Sequence, residues 1–217
     1  RLATLEPLIL ALGYKRFEPY YFAGKKLDAM GYTPPSSDLP RIFISELRVE
    51  ELSAESQAVL QRLIGQMPVD TAADASVFWR GRAWLAPTFA DYKMLAAESE
   101  YAAWLSIIGL RVNHFTISIN ALAQMSEVAD LNEFVEALGF NINASGGRVK
   151  GSPAVLLEQS STLASTQEFE FADGDRHEVS TCYYEFAKRY CDDAGQLYQG
   201  FVAASADKIF ESTDSQG

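Results

Sequence analysis

The chain has 217 residues, enough for one large domain or two small ones and for a substantial buried core. Hydrophobic residues make up 48% and charged residues 22%, the balance of an ordinary globular protein. A formal charge of −11 argues against nucleic acid or an anionic membrane as partner, because both demand cationic surface.

Taken in chain order, Leu2, Leu5, Leu8, Ile9 and Leu12 recur at helical spacing, and Gly13 supplies a stop. Residues 17–22 are aromatic and extended, with Pro19 marking an edge strand or a bulge. Residues 32–40, rich in Pro and Ser, read as a loop, and residues 41–49 alternate as a strand. Ser53 is a good N-cap for a helix reaching Ile64. Residues 69–82 carry no clear period. Residues 89–108 predict one helix with Tyr92, Leu95, Tyr101, Trp104 and Ile108 on its apolar face. A strand follows over residues 110–119, the Asp130-Leu-Asn-Glu133 signature caps a helix closed by Gly139, and residues 141–151 form a polar turn region. Strands are expected over residues 154–157, 168–171 and 178–186. Asp193 and Gln196 would cap a last helix to Phe210, with a disordered tail over residues 211–217. The irregular alternation of strands and helices favours an α+β fold on a curved, mainly antiparallel sheet, in a single domain over residues 1–217.

Two cysteines, Cys182 and Cys191, lack the spacing of a disulfide framework or a metal knuckle, which points to a reducing, cytoplasmic setting. No apolar run approaches a membrane span and no secretory signal is visible. The first residue is Arg1 rather than Met, so a natural N-terminal segment is expected ahead of it.

The strand over residues 110–119 is the most informative stretch. Alternation places Val112, His114, Thr116 and Ser118 on one face, and Arg111, Asn113, Phe115, Ile117 and Ile119 on the other. The first face is polar enough to line a cavity. His114 there suits a hydrogen-bonded core residue, a general base or a metal ligand. Glu185, in the apolar setting Cys-Tyr-Tyr-Glu-Phe-Ala, is costly to bury unless a cation meets it. A metal would serve, and so would Arg189 in a partly buried ion pair. His177 sits in a charged stretch and reads as a solvated turn residue, a poor third ligand.

Four motifs in order resemble the 2-oxoadipate dioxygenase/decarboxylase family: the opening Arg1-Leu-Ala-Thr-Leu, Arg-Val-Asn-His114-Phe-Thr, Leu-Leu-Glu-Gln159-Ser160-Ser161-Thr162, and Tyr-Tyr-Glu185-Phe-Ala-Lys-Arg189. The resemblance implies a sheet of vicinal oxygen chelate type enclosing a metal pocket, with peripheral helices. It implies His114 and Glu185 as metal ligands. Arg1 falls on the arginine of a His-Gly-x-x-Arg motif, so the third ligand would be a histidine upstream of Arg1. Fe(II) is the implied metal, with another divalent ion able to replace it in a purified sample. Oxidative decarboxylation and hydroxylation of a 2-oxo dicarboxylic acid by O₂ is the implied reaction, 2-oxoadipate giving 2-hydroxyglutarate in lysine breakdown. Arg1 would bind a substrate carboxylate and act in catalysis, while Gln159, Ser160 and Thr162 would line the pocket; simple turn chemistry is the alternative for these three. Arg48 or Arg82 would offer a second cation or lie at the surface. Competing readings are a metal-dependent hydrolase and a non-catalytic 2-oxo acid binding protein.

Overall fold

The computed structural model describes residues 1–213. In chain order the elements are α1 (Leu2–Ala11), β1 (Lys15–Phe22), β2 (Leu27–Thr33), β3 (Ile42–Leu47), α2 (Ala54–Ile64), α3 (Val77–Arg80), α4 (Phe89–Glu98), α5 (Glu100–Ile108), β4 (His114–Ser118), α6 (Val128–Ala137), β5 (Lys150–Ser152), β6 (Leu157–Ser161), β7 (Thr166–Glu170), β8 (Arg176–Ser180), β9 (Tyr183–Arg189) and α7 (Ala203–Phe210). They fall into two compact units. One comprises Arg1–Val112 and Thr166–Val179; the other comprises Asn113–Ser165 and the chain from Ser180 onward.

In the first unit, β1, β2 and β3 form an antiparallel meander. Strand β1 lies at its edge and shifts register between Arg16 and Glu18, just before Pro19, so the missing N–H of proline costs no central ladder bond. Strand β2 overlaps the start of the expected loop at Tyr32. Its Leu27, Ala29 and Tyr32 are buried, and sheet pairing on both sides overrides the weak local signal of its Gly and Asp. Ser53 caps α2 as expected, its hydroxyl accepting from the Ser56 amide at 3.2 Å.

The single helix expected over residues 89–108 is two. Ser99 has extended backbone and its hydroxyl accepts from the Ala102 amide, so it ends α4 and caps α5. Leu95, Ala102 and Ala103 pack with Leu60 and Leu63 of α2, while Trp104 and Ile107 pack with Phe171 and Val179. Among the described residues, strands β7 and β8 pair only with each other. His177 belongs to β8 and not to a solvated turn: its ring stacks on Phe89 with centroids 3.4 Å apart.

The second unit carries a four-stranded sheet in the order β4-β9-β6-β5. The pairing of β4 with β9 is parallel, and the other two are antiparallel. A parallel pair cannot close through a hairpin, and here α6 and the β5–β6 pair lie between the two strands in sequence. The last strand thus sits beside the first. Helix α6 covers one face of this sheet, packing Val128, Leu131 and Val135 against Ile119 and Phe186.

Several boundaries in this unit differ from expectation for local reasons. Helix α6 starts at Val128, so Asp130 and Glu133 lie inside it and form no capping box, whereas Gly139 at φ 92° does close the turn that follows. Residues 153–155 form a 3₁₀ turn led by Pro153, and the strand starts only at Leu157. Residues 178–186 are split between β8 and β9, which belong to separate sheets. The Asp192 carboxylate accepts from the amides of Ala194 and Gln196, closing a local turn, and α7 starts later at Ala203. Ser212, expected in a disordered tail, is buried with its hydroxyl meeting Ser161 and Asn143. The rest of that tail, residues 214–217, lies outside the described residues.

Candidate metal centre

Register decides which side chains of the second unit share a face. His114 lies opposite Tyr183, Thr116 opposite Glu185, Ser161 opposite Glu185, Gln159 opposite Ala187, and Lys150 opposite Gln159. Cross-strand partners point the same way, so one face of the sheet collects His114, Thr116, Glu185, Gln159, Ser161 and Lys150. The other face bears Phe186 and Ser160, turned to α6. The polar face foreseen around His114 therefore extends across the whole sheet.

His114 and Glu185 meet at its centre. Nε2 of His114 is 3.1 Å from Oε2 of Glu185, whose side chain is only 5% exposed. Thr116 donates its hydroxyl to Oε2 at 3.0 Å, and the Gln159 amide nitrogen donates to Oε1. Burial pushes the Glu185 carboxyl up. The hydrogen bonds from His114, Gln159 and Thr116 more than offset it and hold the group below the ordinary glutamate range. A buried, ionised carboxylate thus faces the imidazole. The alternative counter-ion, Arg189, donates instead to the carbonyls of Tyr198 and Gly200.

These residues fit a divalent metal. An imidazole nitrogen and a carboxylate oxygen are the donor types of a non-haem iron centre. Their 3.1 Å separation matches adjacent ligands of an octahedral ion with bonds of about 2.1 Å, whose edge is about 3.0 Å, as well as it matches a hydrogen bond. Two buried polar atoms on the same face, Gln159 Oε1 and the Tyr183 hydroxyl, have no hydrogen-bond partner. Such atoms are costly unless a ligand, ion or water meets them. Among the described residues no group of three His, Cys, Asp or Glu side chains gathers to hold an ion.

The other expected site residues are spread more widely. Arg1 is exposed at the start of α1 in the first unit. Ser160 is fully buried on the opposite face, where its hydroxyl donates to Asn132 at 2.7 Å. Thr162 accepts from the Tyr184 amide at 3.1 Å and so fastens the strand. Of the three polar liners only Gln159 joins the pair, and it lies in a strand and not in a turn. Arg48 is engaged by Glu51 and Asp28, and Arg82 by the carbonyls of Trp84 and Ile107. Thr116 and Tyr183 belong to the site although local sequence does not single them out; each lies two positions from His114 or Glu185 on the same face. Alternation also put Asn113 on the wrong face. Asn113 precedes β4, so strand alternation does not govern it, and its Oδ1 lies 3.1 Å from His114 Nδ1.

A histidine and a glutamate thus share one polar sheet face inside a mixed helix and sheet fold with mainly antiparallel strands. The fold matches a glyoxalase superfamily protein from Ralstonia eutropha with TM-score 0.75 at 22% identity, over 92% of this chain and 68% of that one. The chain belongs to the 2-oxoadipate dioxygenase/decarboxylase family, whose model matches residues 1–196. It is 37% identical to the chloroplastic/amyloplastic 2-oxoadipate dioxygenase/decarboxylase of Oryza sativa over 99% of its own length, while spanning 65% of that protein. It also matches the Oryza sativa hydroxyglutarate synthase structure in complex with 2-oxoadipate. There the TM-score is 0.85 and the identity 35%, over 98% of this chain and 75% of that one.

Proposed function

We propose that the protein carries out oxidative decarboxylation and hydroxylation of a 2-oxo dicarboxylic acid, converting 2-oxoadipate and O₂ to 2-hydroxyglutarate and CO₂ in lysine breakdown. The observation that carries this reading is the His114–Glu185 pair on the buried polar face, in a chain of this family. The atoms balance: the C1–C2 bond breaks and C1 leaves as CO₂. One oxygen of O₂ completes the new carboxylate at C2, and the other becomes the C3 hydroxyl.

His114 Nε2 and Glu185 would hold Fe(II). When bound, Fe(II) would supply one-electron reactivity towards O₂ and open coordination positions for O₂ and a 2-oxo acid, the net electrons coming from the acid itself. The chain's own residues do the rest. Glu185 brings a full negative charge because Thr116 and Gln159 each hold one of its oxygens by a hydrogen bond. Tyr183 stacks on the His114 ring, with centroids 4.7 Å apart and planes 13° apart, and fixes its plane. Arg1 would bind a substrate carboxylate through paired charge-assisted hydrogen bonds. Cys182 and Cys191 are both exposed thiols, which suits the reducing cytoplasm where we place the protein.

The test uses full-length protein loaded with Fe(II) under anaerobic conditions and then mixed with 2-oxoadipate and O₂. One CO₂ and one 2-hydroxyglutarate per O₂ consumed is the expected result. Turnover with Zn²⁺ in the absence of O₂ would select the hydrolase reading instead. Calorimetric binding of 2-oxoadipate that is indifferent to metal, without turnover, would select a binding protein.

A further inference from the structure

We infer that Asn113 is the positioning residue that makes Nε2 the metal-binding nitrogen of His114. The inference rests on the reading of His114 and Glu185 as ligands and adds to it the element that presents one of them.

A neutral imidazole has one N–H and one lone pair, and whichever nitrogen carries the proton cannot bind a metal. In this structure both ring nitrogens face oxygen, Nδ1 towards Asn113 Oδ1 and Nε2 towards Glu185 Oε2, each at 3.1 Å. Both oxygens accept, so in the metal-free ring either nitrogen can donate; once a metal takes the Nε2 lone pair, the single ring proton lies on Nδ1, where the Asn113 carbonyl oxygen accepts it.

The ring has no easy escape from this choice. Its plane is fixed by Tyr183, itself 3% exposed. The backbone of Asn113 is tied to the same strand, its carbonyl accepting from the Tyr183 amide at 3.4 Å. One residue of β9 therefore sets both the ring and the amide that orients it. A position just outside a strand has no periodic reason to carry a polar side chain aimed at its neighbour. Orientation of a metal-binding histidine through its second nitrogen supplies that reason, and loss of such a partner costs about 10- to 100-fold in metal affinity.

The test compares full-length wild type with Asn113→Asp and Asn113→Leu, using Zn²⁺ as a diamagnetic probe. Two readouts are needed: Zn²⁺ affinity by competition titration, and the ¹⁵N shifts of His114 in the loaded protein. Wild type should show a protonated Nδ1 and a metal-bound Nε2. Asn113→Asp, which keeps the acceptor, should bind within about threefold of wild type, whereas Asn113→Leu should bind about 10- to 100-fold more weakly with its fold retained. Equal affinity in Asn113→Leu and wild type would overturn the inference, as would equal losses in both variants or a metal on Nδ1. If His114→Ala weakens binding while Asn113→Leu does not, the metal centre stands and only the role of Asn113 falls. If folded wild type binds no Zn²⁺, both fall.

Discussion

Replacing Gln159 by Leu separates what this side chain does for stability from what it does for the site. Gln159 is 2% exposed and its amide nitrogen donates to Glu185 Oε1, while its own Oε1 is buried without a partner. Removing a hydrogen bond to a charged group costs about 1.5–3 kcal/mol. Removing the unsatisfied oxygen returns about 1–3 kcal/mol, and leucine fills a similar volume. The two largely offset, so the metal-free variant should unfold in urea within about 2 kcal/mol of wild type. Glu185, however, loses one of the donors that keep it ionised, and Zn²⁺ affinity should fall about 10- to 100-fold. A loss of stability well beyond that margin with unchanged metal affinity would instead make Gln159 a packing residue with no part in the site.

Other perturbations test the packing of the first unit. Lys26 and Ser53, hydrogen-bonded to the Glu98 carboxyl, hold it down to about 2 from its usual 4.5. Its stabilising contribution is therefore complete above about 4.5 and is lost as the pH falls towards 2, and Glu98→Gln should flatten the acid limb of stability measured by urea titration across that window. Leu95 is fully buried among Leu60, Leu63 and Ala102, so Leu95→Ala should cost about 2–5 kcal/mol in chemical denaturation. At Gly109, with φ 85°, an added Cβ would stand 2.3 Å from the Arg82 Cα, a clash with backbone that cannot rotate away. Gly109→Ala should thus lower the thermal midpoint by more than Leu95→Ala does, as read by calorimetry.

Much of the site was legible because period-2 alternation is insensitive to where a strand ends. His114 and Thr116 fall on one face whether β4 starts at residue 110 or at His114. Glu185 stood out because an ionisable group in an apolar strand needs a partner, and the structure gives it three. What stayed hidden depends on tertiary pairing. The parallel register that brings Glu185 beside Thr116, and the antiparallel one that brings Gln159 within reach, leave no trace in either segment. Ser160 and Gln159 are neighbours with identical local signals, and only the sheet sends one to α6 and the other to the site. Ser99 and Asp192 misled for a common reason: short polar side chains compete for backbone amides and redraw helix boundaries that apolar spacing alone would extend.

Fe(II) titration of full-length protein under anaerobic conditions tests most directly whether His114 and Glu185 hold the metal together. Wild type should bind one equivalent, and both His114→Ala and Glu185→Ala should lose binding while keeping the far-ultraviolet circular dichroism of the folded chain. Fe(II) held with wild-type affinity by either variant would contradict the account.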